Sequence, residues 1–396
     1  MSTPASAPFS VDAADPRVEA LTRLLADTAV ARDREGGHAA TERQAIRESG
    51  LLKLAIPQAL GGEGASWSRT LDAVRRLATV DSALAHVFAF HHLQVATVLR
   101  YGNAEQQSRL LGDTASRGWF WGNALNPLDK RCAAQAVPGG FSFHGDKSFC
   151  SGALGSDMLI VSAWHAESQS LVIAAVPSAR EGVELRADWD AFGQRQTDSG
   201  SVRFEHVFVP DADVLQTPGA APSVATTARA LLAQLILVNL YLGIAQGALA
   251  EALRYLREEA RPWSASGVTR AADDPYAQQR AGELHLLVRP AELLADFAAA
   301  TVDTAFAQGP ALTTQARGEA AIRVAEAKAL AHKAALEVGN RMFDLMGARA
   351  SSGRFGYDRF WRNARVHTLH DPLDYKIRDI GRHVIDGTLP EPGPYS

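Results

Sequence analysis

Apolar residues in the first quarter of the chain recur with the period of an α-helix. Between residues 15 and 116 they fall three or four positions apart, as in Val18, Leu21, Leu24 and Leu25, and again in Leu71, Val74, Leu77 and Ala78. This spacing places them on one face of each predicted helix. Pro57 and the glycines of 61–64 interrupt the pattern, so the sequence IPQALGGEGAS is predicted to be a loop.

The pattern changes to short strands between residues 119 and 215. Segments 157–164, 171–176 and 201–209 are rich in Val, Ile and Phe, and in the last of them apolar and polar residues roughly alternate. Such alternation is typical of a half-buried antiparallel strand. Turn residues separate the segments, so we predict a small β-barrel or sandwich in this region.

From Pro222 onward the chain is again helical. The predicted helices are rich in Ala and Leu and span about 226–259, 275–307 and 312–346, with a last helix near Pro372. Segments of this length predict an up-and-down helical bundle. The changes of pattern divide the chain into three predicted domains, which are a helical domain at 1–118, a β-domain at 119–218 and a helical bundle at 219–396.

Composition and charge are those of an ordinary globular protein. The 396 residues are 46% hydrophobic and 21% charged, with a formal net charge of -4. Such a chain has no basic stripe of the kind that binds nucleic acid. The longest apolar run, 230–244, is interrupted by polar residues and is shorter than the roughly 20 residues of a membrane span. Neither nucleic acid nor a membrane is an expected partner.

Two features predict a cytoplasmic location. Cys132 and Cys150 are the only cysteines, which is too few for a disulfide framework or a zinc site. Residues 1–16 contain neither the basic region nor the apolar core of a secretory signal. The sequence therefore predicts a protein of the reducing cytoplasm.

Three motifs resemble those of the acyl-CoA dehydrogenase superfamily. They are Ile56-Pro57 with the glycine-rich 61–66, the strand and turn at 145–153 (GDKSFCSGA), and the segment from Phe192 to Arg195 with Val207, Val209 and Pro210 beyond it. The resemblance covers almost the whole chain. It implies an α+β fold with an N-terminal helical domain, a central β-barrel or sandwich and a C-terminal four-helix bundle.

Within that superfamily the chain is most similar to the monooxygenases that use reduced FMN, which include dibenzothiophene monooxygenases and sulfur-acquisition enzymes related to dimethylsulfone use. The similarity lies in the segments 123–129, 149–153, 194–201, 347–350 and 360–372. It implies reaction of FMNH2 with O2 through a C4a-peroxyflavin and oxygenation of a small organosulfur compound, such as a sulfide or sulfone. It also implies a homotetramer, and FAD is the alternative cofactor.

The segment 355–376 contains the main candidate for proton transfer. Many acyl-CoA dehydrogenases have Glu-Gly-Thr where this chain has His370-Asp371-Pro372, and there the Glu removes a proton from the thioester. Pro372 suits the first position of a helix, so Asp371 is predicted to be the helix cap, a stabilised anion and a poor base. His370 is then the titratable group beside the flavin. The alternative is a histidine satisfied inside a helix junction.

Four further residues are predicted to contact the flavin. The resemblance places the Ser151 hydroxyl at the N5/O4 edge of the ring, where it acts in catalysis, and the amides of Asn123 and Asn126 beside the ring. Trp189 is predicted to cover the ring or the substrate. The alternatives are an ordinary Ser-Gly turn for Ser151 and a place in the β-domain core for Trp189.

His86 of the predicted helix 82–100 is a candidate on the substrate side. His86 and Phe90 are four residues apart and share one face of that helix. In the polyaromatic sulfur oxidisers that this chain resembles, a His and a Tyr occupy these two positions. Phe90 has no hydroxyl, so a proton relay through His86 is left open. No carboxylate accompanies His86, His91 and His92 at metal-ligand spacing, so no metal site is predicted.

Three basic residues are candidates for binding the flavin phosphate. Arg261 and Arg349 lie in the stretches ARPWSASG and MGARASSG, where free backbone amides can bind an anion. The resemblance implies that different subunits supply these two stretches. A surface salt bridge is the alternative for each arginine. His367 is predicted either to orient His370 or to bind the phosphate.

Two other functions are left open by the sequence. A true acyl-CoA dehydrogenase or oxidase with bound FAD would need a carboxylate base, and Asp371 is the obvious candidate. A catalytically inactive relative would use the fold as an interaction scaffold. No Gly-x-Gly-x-x-Gly motif follows a strand, so a monooxygenase of this kind would need a separate NAD(P)H:flavin reductase.

Overall fold

Helices flank a central sheet in the part of the protein that the structure describes. The computed structural model describes residues 15–396, so nearly all of the 1–16 segment considered as a signal sequence lies outside the described residues. The helices are α1 (Pro16–Glu35), α2 (Ala40–Glu48), α3 (Trp67–Ala78), α4 (Ser82–Tyr101), α5 (Ala104–Arg117), α6 (Val224–Glu258), α7 (Pro275–Ala307), α8 (Thr314–Arg341), α9 (Phe343–Met346), α10 (Asp358–His367) and α11 (Leu373–Asp386). The strands are β1 (Trp121–Ala124), β2 (Ala133–Val137), β3 (Gly140–Lys147), β4 (Met158–His165), β5 (Ser170–Pro177), β6 (Val183–Leu185), β7 (Val202–Pro210) and β8 (Val214–Gln216).

Polar side chains determine where the long helices begin. Asp81 accepts hydrogen bonds from the amides of Ala83 and Leu84 at the start of α4. Ser223 and Thr313 cap α6 and α8 in the same way. These oxygens satisfy amides that have no partner within the first turn of a helix. The helix starts therefore follow from a polar residue placed directly before an apolar repeat.

One hydrophobic core joins the N-terminal helices to the C-terminal bundle. The long helix α6 packs against α3, α4, α7 and α8. Leu71 of α3, Phe88 of α4, Leu235 of α6 and Val324 of α8 are all buried in this core. Both α10 and α11 pack on α8, which completes the predicted bundle.

Two helices, α4 and α6, are long and apolar enough to cross a membrane. In the protein, however, 89% of the most apolar window of α4 and 83% of that of α6 are buried against other elements. Their hydrophobicity is therefore accounted for by the core that they form.

The strands form one mixed sheet between the two helical regions. Its order is β6-β7-β3-β2-β4-β5-β8, and β1 pairs parallel with β4. The order is open, with β6 and β8 at its two ends. The predicted fold class, with helices, a β-region and a helical bundle in that order, is confirmed.

Strands β4 and β5 are buried on both faces, which explains their nearly continuous apolar sequence. On β4, Leu159 and Val161 lie in the core of the β-domain, whereas the alternate residues Met158 and Ile160 pack with apolar residues of α4 and α5. This packing holds β1, the parallel neighbour of β4, against α4. Asn123 lies on β1.

Candidate active site

Ser151 lies in the turn after β3, beside the loop 194–201. Its Oγ is 2.8 Å from Ser199 Oγ, which in turn is 2.8 Å from Thr197 Oγ1. The carbonyl oxygen of Ser151 accepts a hydrogen bond from the Asn123 amide at 2.9 Å. A hydroxyl both donates and accepts, so the row of three hydroxyls holds Ser151 in place and leaves it capacity for one more partner.

Asn123 is held by α4, and the nitrogen of its side-chain amide has no acceptor within residues 15–396. Its Oδ1 accepts a hydrogen bond from Gln94 Nε2 at 3.0 Å. Asn126 accepts through Oδ1 from the backbone amide of Leu128 at 3.2 Å, and its carbonyl accepts from Lys147 Nζ at 2.8 Å. Within residues 15–396, neither asparagine donates a hydrogen bond through its side-chain nitrogen, so both can donate to a ligand.

His370 and Asp371 form a dyad that a buried lysine holds in place. His370 Nδ1 is 2.9 Å from Asp371 Oδ1, and Lys328 Nζ on α8 is 2.5 Å from the same oxygen. Burial alone would raise the pKa of Asp371, but the hydrogen bond from His370 and the charge of Lys328 lower that pKa below its usual range. An ionised carboxylate only accepts hydrogen bonds, so Nδ1 of His370 carries the proton and Nε2 is left for chemistry.

The prediction that Asp371 caps the last helix is wrong. Helix α11 begins at Leu373, the residue before it is Pro372, and within residues 15–396 no side chain bonds to the first-turn amides. The Asp371 carboxylate turns instead to Lys328, 43 residues away in the sequence. Burial lowers the pKa of Lys328 to about 8, so its amine is still mainly protonated at neutral pH. An ion pair, and not a helix terminus, makes Asp371 an anion.

His86 and His367 meet in the interior between α4 and α10. Their ring centroids are 4.7 Å apart, and the ring of Phe90 stacks on His86 at 4.0 Å. Burial lowers the pKa of His367 to about 3 and that of His86 well below its usual value. Both rings are therefore neutral at pH 7. Neither nitrogen of His86 has a hydrogen-bond partner within residues 15–396, so the ring can serve a ligand.

Neutral buried histidines on α4 predict that the fold is sensitive to acid. Burial holds the pKa of His92 well below 6.5 in the folded state. As pH falls below 6.5 the unfolded chain takes up a proton there and the folded chain does not, so stability falls by about 1.4 kcal/mol per pH unit for this group. Denaturant titrations from pH 7.5 to pH 5 should therefore show a smaller loss of stability in His92→Leu than in the wild type.

The matched control for that comparison is His285→Gln, which changes an exposed histidine on α7. It should keep the pH dependence of the wild type. Equal slopes for His92→Leu and His285→Gln would contradict the assignment of His92 as a neutral buried group.

Gln194 connects the β-domain to the helices around the site. Its backbone amide donates to Asn363 Oδ1 at 2.6 Å, and its side-chain nitrogen is 3.1 Å from Ser82 Oγ and 3.4 Å from His367 Nδ1. A φ of +53°, which is uncommon for a residue with a side chain, turns the loop toward α10. Trp189 donates from Nε1 to the Gln194 carbonyl at 2.9 Å, which places its half-buried ring at the edge of this region.

The two predicted phosphate ligands lie outside this cluster. Arg261 is exposed in the loop between α6 and α7, and Arg349 is exposed in the short 3-10 turn Ala348–Ser351. Within residues 15–396, neither side chain forms a hydrogen bond or an ion pair. No hydrogen bond or ion pair within those residues therefore joins either arginine to Ser151 or His370.

Several residues of the site carry no motif that singles them out in the sequence. Lys328 sits in an Ala-rich helix, where it resembles the exposed Lys333 five residues later. Gln94 is a single polar residue in an apolar helix, and such an isolated polar position is a usable signal because buried polar groups need partners. Gln194 lies inside the recognised motif 194–201, but its role depends on contacts with α10.

A separate group of possible metal ligands lies on the outer surface of the β-domain. His144, Glu205 and His206 come together where the β3–β7 register shifts. Arg203 already binds Glu205 at 2.8 Å, and the two imidazoles stack face to face at 4.3 Å. Arg203 therefore already compensates the charge of the Glu205 carboxylate.

Several polar atoms without partners could donate to or accept from a flavin ring or a substrate. The side-chain nitrogens of Asn123 and Asn126 can donate to ring carbonyls, while both nitrogens of His86 and Oε1 of Gln194 are buried without a partner in the described residues. Buried polar groups without partners are rare unless a ligand or water satisfies them. The donor and acceptor set therefore fits FMN.

The fold and this site define a flavoprotein of the acyl-CoA dehydrogenase type. Residues 18–118 match the acyl-CoA dehydrogenase N-terminal domain, and residues 235–375 match the acyl-CoA dehydrogenase C-terminal domain. The chain belongs to the acyl-CoA dehydrogenase family. Within that family it is an FMNH2-dependent monooxygenase, as relatives that are 42–46% identical over 94–95% of their length indicate.

Three comparisons support that narrower placement. The chain is 46% identical to a probable FMNH2-dependent monooxygenase, SfnC, of Pseudomonas putida, over 95% of each chain. It is 42% identical to the dibenzothiophene monooxygenase of Mycolicibacterium goodii, over 94% of each. The solved structure of methanesulfinate monooxygenase MsuC from Pseudomonas fluorescens superposes with a TM-score of 0.94 at 46% identity, over 96% of this chain and 99% of that one.

One of the similar solved structures contains FMN. FMN-bound TdsC from Paenibacillus sp. A11-2 superposes with a TM-score of 0.92 at 39% identity, over 96% of this chain and 99% of that one. That protein binds FMN in the same fold. The predicted relationship to the reduced-flavin branch is confirmed.

Proposed function

We propose that this protein is the oxygenase of a two-component system. It uses reduced FMN from a separate NAD(P)H:flavin reductase, together with O2, to oxygenate a small organosulfur compound such as a sulfide or sulfone. One oxygen atom goes to the substrate, to the sulfur of a sulfide or to a carbon beside the sulfur of a sulfone, and the other leaves as water, which consumes two electrons and two protons. Reduced FMN, when bound, supplies the electrons. The relatives that act on methanesulfinate and dibenzothiophene support the substrate class.

The observation that carries this proposal is the state of Asp371. A thioester dehydrogenase needs a free carboxylate base, whereas Asp371 is paired with Lys328 at 2.5 Å and bonded to His370 at 2.9 Å. A carboxylate held in this way is a weak base. Its neighbour His370 is 40% exposed on the side chain and keeps Nε2 available to take up and return a proton.

The remaining residues of the site have positioning roles in this proposal. Ser151 and Asn123 hold one edge of the flavin ring through the hydroxyl and amide donors described above, and Asn126 adds a second amide. The neutral His86 faces the substrate side next to Phe90. The apolar ring of Phe90 helps to keep water from the reacting atoms. The ring of His367 contacts that of His86, and we propose that His367 orients the His86 ring.

A coupled assay tests the proposed function directly. The purified protein is supplied with FMN, NADH, O2 and a flavin reductase, and small sulfides, sulfones and sulfinates are compared with dibenzothiophene. Mass spectrometry should detect a product heavier by one oxygen atom, labelled when the gas is isotopically heavy O2. Tightly bound FAD that is bleached by an acyl-CoA would instead establish the dehydrogenase function.

We also propose a homotetramer in the cytoplasm. On α7, Leu286, Leu293 and Phe297 are 69%, 53% and 45% exposed, and their spacing puts them on one face of the helix. An exposed apolar stripe of this kind marks a protein contact. Light scattering should give four times the chain mass and cell fractionation should recover the protein with soluble enzymes. A monomer at micromolar concentration would contradict the assembly.

Arg349→Ala should weaken FMN binding by about 1.5–3 kcal/mol, the contribution of a hydrogen bond to a charged group. We propose that Arg349 and Arg261 reach the flavin phosphate from different subunits, since neither has a partner within residues 15–396 of one chain. Fluorescence titration of FMN measures the loss. The control is Arg23→Ala, an exposed arginine of α1. Identical affinity of the two variants would reject the phosphate role.

A further inference from the structure

Residues 388–396, here called the return segment, fold back beside the proposed catalytic histidine. Helix α11 ends at Asp386, and the next residue, Gly387, leaves the helix with a left-handed φ of +77°. Leu389 then packs so closely on Gly318 of α8 that an added Cβ there would be 2.7 Å from its side chain. The segment therefore runs along α8, the helix that also carries Lys328.

Two buried cations anchor the end of the return segment. Arg317, which is 1% exposed, donates to the Ser396 carbonyl oxygen, and Lys376, which is 7% exposed, donates to the Tyr395 carbonyl oxygen. Burying a cation is unfavourable unless it has a hydrogen-bond partner. The two carbonyl groups provide those partners, so the docked segment and the buried cations stabilise each other.

The anchored segment places the ring of Tyr395 against His370. The two ring centroids are 5.1 Å apart with an interplanar angle of 79°, which is an edge-to-face contact. Asp371 Oδ1 also accepts a hydrogen bond from Nδ1 of this imidazole at 2.9 Å, which restricts the orientation of the ring. Two contacts in different directions thus restrict a side chain that is otherwise partly exposed.

We propose that Tyr395 is a positioning residue for His370 and that the return segment delivers it. The ring of Tyr395 restricts rotation of the imidazole, so Nε2 keeps a single direction while a proton is held or moved. The phenol hydroxyl has no part in this role, because the ring makes the contact. The effect on turnover rests on the proposed function, whereas the contact with His370 does not.

The first test compares Tyr395→Ala with Tyr395→Phe in the coupled assay. Loss of the ring should lower the product formed per NADH by about fivefold, the factor expected for one aromatic contact, with the balance released as hydrogen peroxide. Tyr395→Phe keeps the ring and should match the wild type. Loss of coupling in Tyr395→Phe would show that the hydroxyl acts, and unchanged coupling in Tyr395→Ala would overturn the proposal.

The second test needs neither flavin nor turnover. NMR of the histidine side chains, with the His370 signal identified by its absence in His370→Gln, reports the tautomer and titration of that ring. Tyr395→Ala should shift the His370 signal and its titration midpoint, and Leu389→Ala, which loosens the segment at a distance, should shift them in the same direction. An unchanged His370 titration in both variants would overturn the positioning role even if the oxygenase assay failed.

Discussion

His370→Ala should lower the rate of product formation by about 10²–10⁴, the usual contribution of a general acid or base. FMN affinity should stay nearly unchanged, because we propose that Ser151, Asn123 and Asn126, and not His370, hold the flavin ring. The imidazole is the one titratable group of the dyad that is free to exchange a proton, since Asp371 is an anion paired with Lys328. Steady-state turnover and fluorescence titration of FMN measure the two quantities separately.

The fate of the electrons distinguishes a catalytic from a structural loss. With His370→Ala, NADH consumption should continue through the reductase, and hydrogen peroxide should replace the oxygenated product. His383→Ala, which alters another histidine in the same part of the chain, on α11, is the matched control and should behave as the wild type. Full turnover by His370→Ala would remove this residue from the mechanism.

Lys328→Met should destabilise the folded protein by about 3–5 kcal/mol, the effect of removing one partner of a buried ion pair. Lys328 is 1% exposed and Asp371 is 7% exposed, so the carboxylate would be left charged without a cation in the interior. Chemical denaturation at pH 7 measures this loss. Activity should also fall, since the orientation of His370 depends on Asp371.

Two control variants test the cause of this loss. Lys333→Met changes an exposed lysine of α8 and should alter stability little. The double variant Lys328→Met, Asp371→Leu removes both charges and should recover most of the lost stability while remaining inactive. A stability for Lys328→Met equal to that of Lys333→Met would show that the ion pair contributes nothing to folding.

Local patterns in the sequence were enough to nominate several residues of the proposed site. Ser151 and Asn123 belong to short motifs next to strand ends, where the turn geometry sets the direction of the side chain. His370 was predicted from the contrast between a histidine and the glutamate of the dehydrogenases. Its position beside Asp371 needs no tertiary information, because neighbouring residues across a helix junction are within hydrogen-bond reach.

Long-range partners could not be predicted in this way. Pro372 made helix capping by Asp371 a reasonable expectation. The Asp371 carboxylate instead binds the buried ammonium of Lys328 on α8, because a full charge attracts it more strongly than first-turn amides do. The predicted helix 312–346 is likewise divided, since α8 ends at Arg341 and the short α9 follows. The packing of the last helices on α8 decides where the Asp371 carboxylate lies.

The sequence by itself determined the order of helical and strand regions and the membership of the family, because periodicity and motifs depend on residues close together in the chain. Only the tertiary structure decided that Lys328 binds Asp371, that His86 meets His367, and that Tyr395 lies on His370. Each of these pairs joins residues far apart in the sequence. Their contact depends on how whole helices pack, which no local pattern encodes.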